Sequence, residues 1–295
     1  MSYIKAGTDA SGNDIKLFYQ DLGGPTTRQT VVLIHGWPLS HEMWDYQLTE
    51  LPAHDLRVVA YDRRGFGKSS QTWDGYDYDT LADDLKAVLD TLDLQNVTLV
   101  GFSMGGGEVA RYMSRHGGAR VGKVAFISSV TPYLLKTDDN PDGVDQSVFD
   151  EIIENLQKDR ADFLQTFSKQ FYGVNLISKP VSQAHLDGDF ARAYVASHKA
   201  TLDTANAFAT TDFRNDLTQI HVPTLIIHGD ADKTVPIESS GELTANALPN
   251  AQYIVYDGAP HGLFMTEKDR LNSDLLAFIL EGVSVQEPVG TTTLY

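Results

Sequence analysis

At 295 residues the chain is long enough for one large α/β domain, with or without an insertion. A formal net charge of −17 argues against nucleic acid and anionic membrane as partners, and the lack of cysteine excludes disulfides, thiol catalysis and thiolate metal sites. No apolar run approaches a membrane span and the first 16 residues show no signal-peptide core, so a cytoplasmic protein is the expectation.

Residues 4–7 and 15–22 read as two strands joined by the turn Asp9-Ala10-Ser11-Gly12-Asn13-Asp14. Ile15, Leu17 and Tyr19 alternate with Lys16, Phe18 and Gln20, which suits an antiparallel edge hairpin. Gly23-Gly24-Pro25 breaks the chain. The run 30–34, TVVLI, is continuously apolar, the mark of a strand covered on both faces, and it ends at His35-Gly36-Trp37-Pro38. The next buried strand, 56–61, runs into Asp62-Arg63-Arg64-Gly65-Phe66-Gly67. The spacing of Leu81, Leu85, Val88, Leu89 and Leu92 predicts a helix over 79–92, with Asp77 or Asp79 at its start.

Residues 96–115, NVTLVGFSMGGGEVARYMSR, read as a buried strand, then Gly-Phe-Ser-Met-Gly, then a helix. Gly101-Phe102-Ser103-Met104-Gly105 fits the G-x-S-x-G turn that presents a nucleophilic serine. A strand that reverses into a helix within so few residues strains the apical serine and presses the residues two before and two after it against their neighbours, which leaves room only for glycine. Glycine-rich turns before helices also bind phosphate, but this stretch matches neither phosphate-loop spacing.

Another strand follows at 123–127. From 131 to 220 strand-like runs give way to helical spacing: Val148, Ile152 and Leu156 recur four apart, as do Phe163, Phe167 and Phe171. Strands resume at 224–227 and 253–255, and a last helix covers 267–280. The expected architecture is an α/β fold: residues 1–130 and 221–282 form a mostly parallel sheet with helices on both faces, 131–220 an inserted helical cap, and 283–295 a mobile tail. In such sheets ligands bind at the carboxyl ends of the strands.

A serine nucleophile needs a base and a group to orient that base. Of the nine histidines, His54, His116, His185, His198 and His221 fall in or beside helical or surface stretches, His35 and His228 sit at strand ends, and His41 lies in a loop. His261 follows the last strand and the loop Asp257-Gly258-Ala259-Pro260, which puts it at a carboxyl end in the chain order serine, acid, histidine. The loop after strand 224–227 offers two carboxylates. Asp230 looks like a turn former. Asp232, projecting further toward Pro236, is the stronger candidate, and both as turn aspartates is the alternative. An oxyanion hole needs two backbone amides. Met104, directly after the serine, supplies one, and Trp37, in the loop after strand 30–34, is the candidate for the other.

These pieces together resemble the α/β-hydrolase superfamily and, more closely, the cofactor-free (non-heme) haloperoxidases, which are also aryl esterases and perhydrolases. The matching segments are His35-Gly36-Trp37-Pro38-Leu39-Ser40, Tyr61-Asp62-Arg63-Arg64-Gly65-Phe66-Gly67-Lys68-Ser69-Ser70, Gly101-Phe102-Ser103-Met104-Gly105-Gly106-Gly107-Glu108, His228-Gly229-Asp230-Ala231-Asp232 and Gly258-Ala259-Pro260-His261-Gly262. Three consecutive glycines in a helix cost ~1 kcal/mol each relative to alanine, so composition does not favour them. The resemblance implies a triad of Ser103, Asp232 and His261, which selects Asp232 over Asp230, and oxyanion donors Trp37 and Met104. It also implies no cofactor or metal, a small ester or acid as substrate, hydrogen peroxide as a second acyl acceptor, and a homo-oligomer. Pro38, by fixing the backbone after Trp37, is expected to aim the Trp37 carbonyl at peroxide, or else is a plain turn residue. Phe163, Phe167, Phe171, Tyr172 and Phe208 are expected to pack the cap or to line an acyl pocket. Asp62 and Arg64 are expected to build a turn beneath the site. A lactonase, lactamase or C–C bond hydrolase on the same triad, and a non-catalytic receptor, are the other readings.

Overall fold

A computed structural model describes residues 2–24, 27 and 29–281. Its centre is a sheet of eight strands: β1 (Ser2–Thr8), β2 (Asp14–Leu22), β3 (Gln29–Ile34), β4 (Leu56–Tyr61), β5 (Val97–Phe102), β6 (Val121–Ile127), β7 (Thr224–Gly229) and β8 (Gln252–Tyr256), in the order β1-β2-β4-β3-β5-β6-β7-β8. The β1–β2 hairpin and the β2–β4 pairing are antiparallel, and every pairing from β4 across to β8 is parallel. Asp9 closes the hairpin by accepting from the Ser11 and Asn13 amides. All six residues of β5 are buried. Alternate side chains feed two cores. Val32, Ile34, Val59, Leu99 and Phe126 lie in one, and Val31, Leu33, Val58, Val100, Phe102 and Ile127 in the other. That is why the central strands read as unbroken apolar runs.

Helices cover both faces. In chain order they are α1 (Asp45–Glu50), α2 (Tyr78–Thr91), α3 (Met104–Arg115), α4 (Gln146–Phe171), α5 (Gln183–Val195), α6 (His198–Thr210), α7 (Arg214–Leu217), α8 (Gly241–Ala247), α9 (Leu263–Thr266) and α10 (Lys268–Leu280). Asp77 caps α2 by accepting from the Thr80 amide, and Leu81, Leu85, Val88 and Leu89 form its buried face. Helices α4 to α7 all fall between β6 and β7, as an inserted helical subdomain. Asp159 breaks α4 in two and recaps its second half through the Asp162 amide.

The segment 41–54 differs from expectation. It holds a 3-10 turn at His41–Trp44, then α1, then a second 3-10 turn at Leu51–His54. Each is too short to carry an amphipathic repeat, so periodicity has nothing to detect. The expected tail at 283–295 lies outside the described residues. No helix among the described residues is long and apolar enough to cross a membrane.

Candidate active site

Ser103 sits at the apex between β5 and α3 with φ 54 and ψ −119, a backbone that a non-glycine residue adopts at a cost of ~1–3 kcal/mol. Its flanking glycines are forced by contact. A Cβ on Gly101 would lie 2.5 Å from the Gly105 carbonyl oxygen, and one on Gly105 would lie 2.6 Å from that of Ile34. The next two glycines are also packed shut, Gly106 by Ser129 and Gly107 by Phe213 and Tyr78. The triple glycine therefore lets α3 lie directly against the sheet and its neighbours.

His261 Nε2 is 3.0 Å from Ser103 Oγ, and His261 Nδ1 is 2.6 Å from Asp232 Oδ2. With Asp232 ionised, Nδ1 is the donor to it, which leaves Nε2 free to accept the serine proton. The other carboxylate oxygen, Oδ1, accepts from the Thr234 and Val235 amides at 2.9 and 2.8 Å. Burial acts to raise the Asp232 pKa, but the facing His261 and His228 imidazoles outweigh it and hold the carboxyl well below its ordinary range. Asp230 is turned away, accepting from the Gly258 amide. The His261 ring is fixed from two sides by Phe102 and Phe171, at centroid distances of 4.9 and 4.8 Å.

The two expected oxyanion donors flank this serine. Met104 is the first residue of α3, so its N–H has no acceptor within the helix. A Cβ on Gly36 would lie 3.1 Å from Ser103 Cβ, so the loop leading into Trp37 runs against the nucleophile. The Trp37–Pro38 peptide is cis. The Trp37 indole donates to the Thr201 carbonyl of α6 at 3.0 Å and packs against Phe163, Phe167 and Phe208.

A small pocket, with a cavity volume of about 40 Å³, opens onto Ser103 and His261. Its walls are mostly apolar: Trp37, Val130, Leu134, Phe149, Ile152, Phe167, Phe208 and Val235. The cap aromatics thus divide. Phe167 and Phe208 line the pocket, while Phe171 and Tyr172 pack onto Phe264 beside the base.

A buried network behind the site was not among the sequence candidates. Arg63 donates through Nε to Glu108 Oε2 of α3 at 2.8 Å and through Nη2 to the His35 carbonyl at 2.8 Å. It therefore ties the loop carrying Trp37 to the helix carrying Met104. Tyr61 contacts the other Glu108 oxygen. Burial pushes Glu108 well above its ordinary range and Arg63 down to about 10, which leaves the guanidinium charged at neutral pH. Burial, aided by Arg63, drives His35 down to about 3. A neutral ring agrees with its bonds, Nε2 accepting from the Arg63 amide and Nδ1 facing the Gly36 carbonyl. Asp62 and Arg64 serve the neighbouring turn: Asp62 receives His41 and the Lys68 amide, and Arg64 pairs with Asp84. The signal for Arg63 and Glu108 is present in the sequence as charges inside otherwise buried segments, but not the fact that they meet.

A family model described as the alpha/beta hydrolase fold matches residues 29–268. The chain is 41% identical over 267 residues to a non-heme chloroperoxidase of Kitasatospora aureofaciens, covering 90% of this chain and 96% of the relative. It is 42% identical over 280 residues to a bifunctional esterase/perhydrolase of Acinetobacter calcoaceticus, covering 95% and 99%. The crystal structure of a bromoperoxidase from Bacillus anthracis superposes with a TM-score of 0.90 at 46% identity, covering 95% of this chain and 99% of that one.

Proposed function

The chain belongs to the alpha/beta hydrolase family, and on that premise we propose that it is a serine esterase that also transfers acyl groups to hydrogen peroxide. The observation that carries the reading is the unbroken chain Ser103 Oγ, His261, Asp232 beneath an apolar pocket. In this mechanism His261 Nε2 takes the Ser103 proton as Oγ attacks the ester carbonyl. The developing oxyanion rests on the Trp37 and Met104 amides, and Asp232 stabilises the imidazolium. His261 then protonates the leaving alcohol. Water, deprotonated by His261, releases the acid from Ser103. Hydrogen peroxide in the place of water releases a peracid, whose O–O bond breaks as it passes its terminal OH to halide, giving hypohalous acid and the carboxylate.

The helices between β6 and β7, taken as a cap over 131–220, close the acyl side of this site in the proposal. A cytoplasmic location and a homo-oligomeric state belong to the same proposal, and cell fractionation and sedimentation test them. The mechanism itself is tested with p-nitrophenyl esters, lactones and amides, each run with and without peroxide. Ester hydrolysis that survives EDTA, with peracid formed when peroxide is added, is expected. Ester turnover that is absent, or lost with EDTA, overturns the reading. Pro38→Leu is expected to lower perhydrolysis relative to hydrolysis, and an unchanged ratio removes Pro38 from the mechanism.

A further inference from the structure

The acid of the triad faces a second histidine that the mechanism does not use. His228 lies near the end of β7 and is buried. Its Nε2 is 2.9 Å from the Val235 carbonyl oxygen, 3.5 Å from Ser240 Oγ and 3.4 Å from Asp232 Oδ2, the oxygen that holds His261 Nδ1 at 2.6 Å. Ser240 gives its own proton to the Pro236 carbonyl at 2.6 Å, so toward the ring it can only accept. Nε2 therefore meets three acceptors and is the nitrogen that carries the proton. Nδ1 has no hydrogen-bond partner among the described residues and abuts Gly241, where a Cβ would lie 2.7 Å from it.

That N–H acts on Asp232 in two ways. It anchors the carbonyl of Val235, whose amide donates to Asp232 Oδ1 at 2.8 Å. Its positive end also lies near Oδ2 and offsets part of the charge that this oxygen turns on His261. Against burial, which acts to raise it, His261 and then His228 hold the Asp232 carboxyl below its ordinary range. Other charges stand away: Asp230 is spent on the Gly258 amide, Lys233 and Glu242 are exposed, and the start of α8 meets the ring with Ser240 and Gly241. We propose that His228 is a positioning residue: by holding Val235 and sharing Oδ2 with His261, it fixes Asp232 and restrains how strongly Asp232 pulls on the proton of the base. In the reading of this chain as an esterase, on which this inference rests, a carboxylate without that restraint would hold the imidazolium too firmly and keep His261 protonated to higher pH.

The test is the pH profile of kcat/KM for one p-nitrophenyl ester in the wild type, His228→Leu, His228→Asn and His228→Gln. Leucine removes the donor, asparagine stops short of Oδ2, and glutamine keeps an N–H near the place of Nε2. The acid limb of the profile is expected to move up by about half a pH unit in His228→Leu and His228→Asn and to return toward the wild type in His228→Gln. The asparagine variant decides the matter if the leucine variant does not fold. Acid limbs that stay put or move down in the leucine and asparagine variants, or that move up equally in all three, overturn the inference while leaving the esterase reading intact. So does histidine nitrogen NMR of the wild type that finds the His228 proton on Nδ1. A wild type without ester turnover overturns that reading, and the inference with it.

Discussion

At the scale of single residues, the reversal between β5 and α3 sets the nucleophile, and the loop after β8 sets the base. Ser103 is marked by the glycines that the reversal demands, and His261 by its place after the last strand. Asp232 and Asp230 were harder, because both follow the same strand two residues apart. The loop favoured Asp232 and the family resemblance selected it, and the coordinates give the reason: its carboxylate lies 2.6 Å from the imidazole while that of Asp230 is spent on the Gly258 amide. If Asp232 orients and stabilises rather than attacks, Asp232→Asn should lower kcat by about 10⁴ while Ser103→Ala lowers it by about 10⁶. Steady-state rates on one p-nitrophenyl ester check both. A second expectation concerns acid. His35 has a folded pKa of about 3 against an ordinary 6.5, so below pH 6.5 the unfolded chain binds a proton there that the folded one refuses. Its contribution to stability is complete above pH 6.5 and is lost progressively as pH falls toward 3. In urea titrations across that window, His35→Asn should lose stability less steeply than the wild type, by up to about 1.4 kcal/mol per pH unit. Parallel slopes would show that the ring is not buried as a neutral acceptor.

At the scale of elements, the central strands announce themselves because burial on both faces leaves mostly apolar residues to use, and the β1–β2 hairpin does so by alternation. The short helical turns of 41–54 do not, because one or two turns carry no period. The placement of α3 depends on contacts from distant parts of the chain: glycines that admit Ser129 and Phe213, and Glu108 reaching across to Arg63. This last link joins both sides of the expected oxyanion hole, and both partners are fully buried. Removing Glu108 strands the Arg63 guanidinium, charged at neutral pH, in the interior. Glu108→Met is therefore expected to destabilise the fold by ~3–5 kcal/mol, and Glu108→Met combined with Arg63→Met to recover much of that loss. Chemical denaturation of the two variants decides it, and a double variant less stable than the single one would contradict the pairing.

At the scale of the whole molecule, a sheet with two covered faces leaves its carboxyl edge as the place where side chains from separate strands converge, and the inserted helices α4 and α6 pack Trp37 and wall the pocket. The fold class was readable from alternation alone, but which cap aromatics face the pocket was not, since helical spacing looks the same for a packed stripe and an exposed one. The net charge of −17 acts at this scale too. Its field should disfavour anionic esters, and salt should weaken that effect. The kcat/KM of a hemisuccinate ester relative to a neutral butanoate is expected to rise with ionic strength; a salt-independent ratio would place the discrimination in the pocket alone. The account rests most heavily on one activated oxygen, and covalent labelling tests it directly. After treatment with an organophosphate, peptide mass mapping should find one phosphorylated residue, Ser103, in proportion to lost activity, with no label in Ser103→Ala. Complete inactivation with the label on another residue, or ester turnover retained in Ser103→Ala, would contradict it.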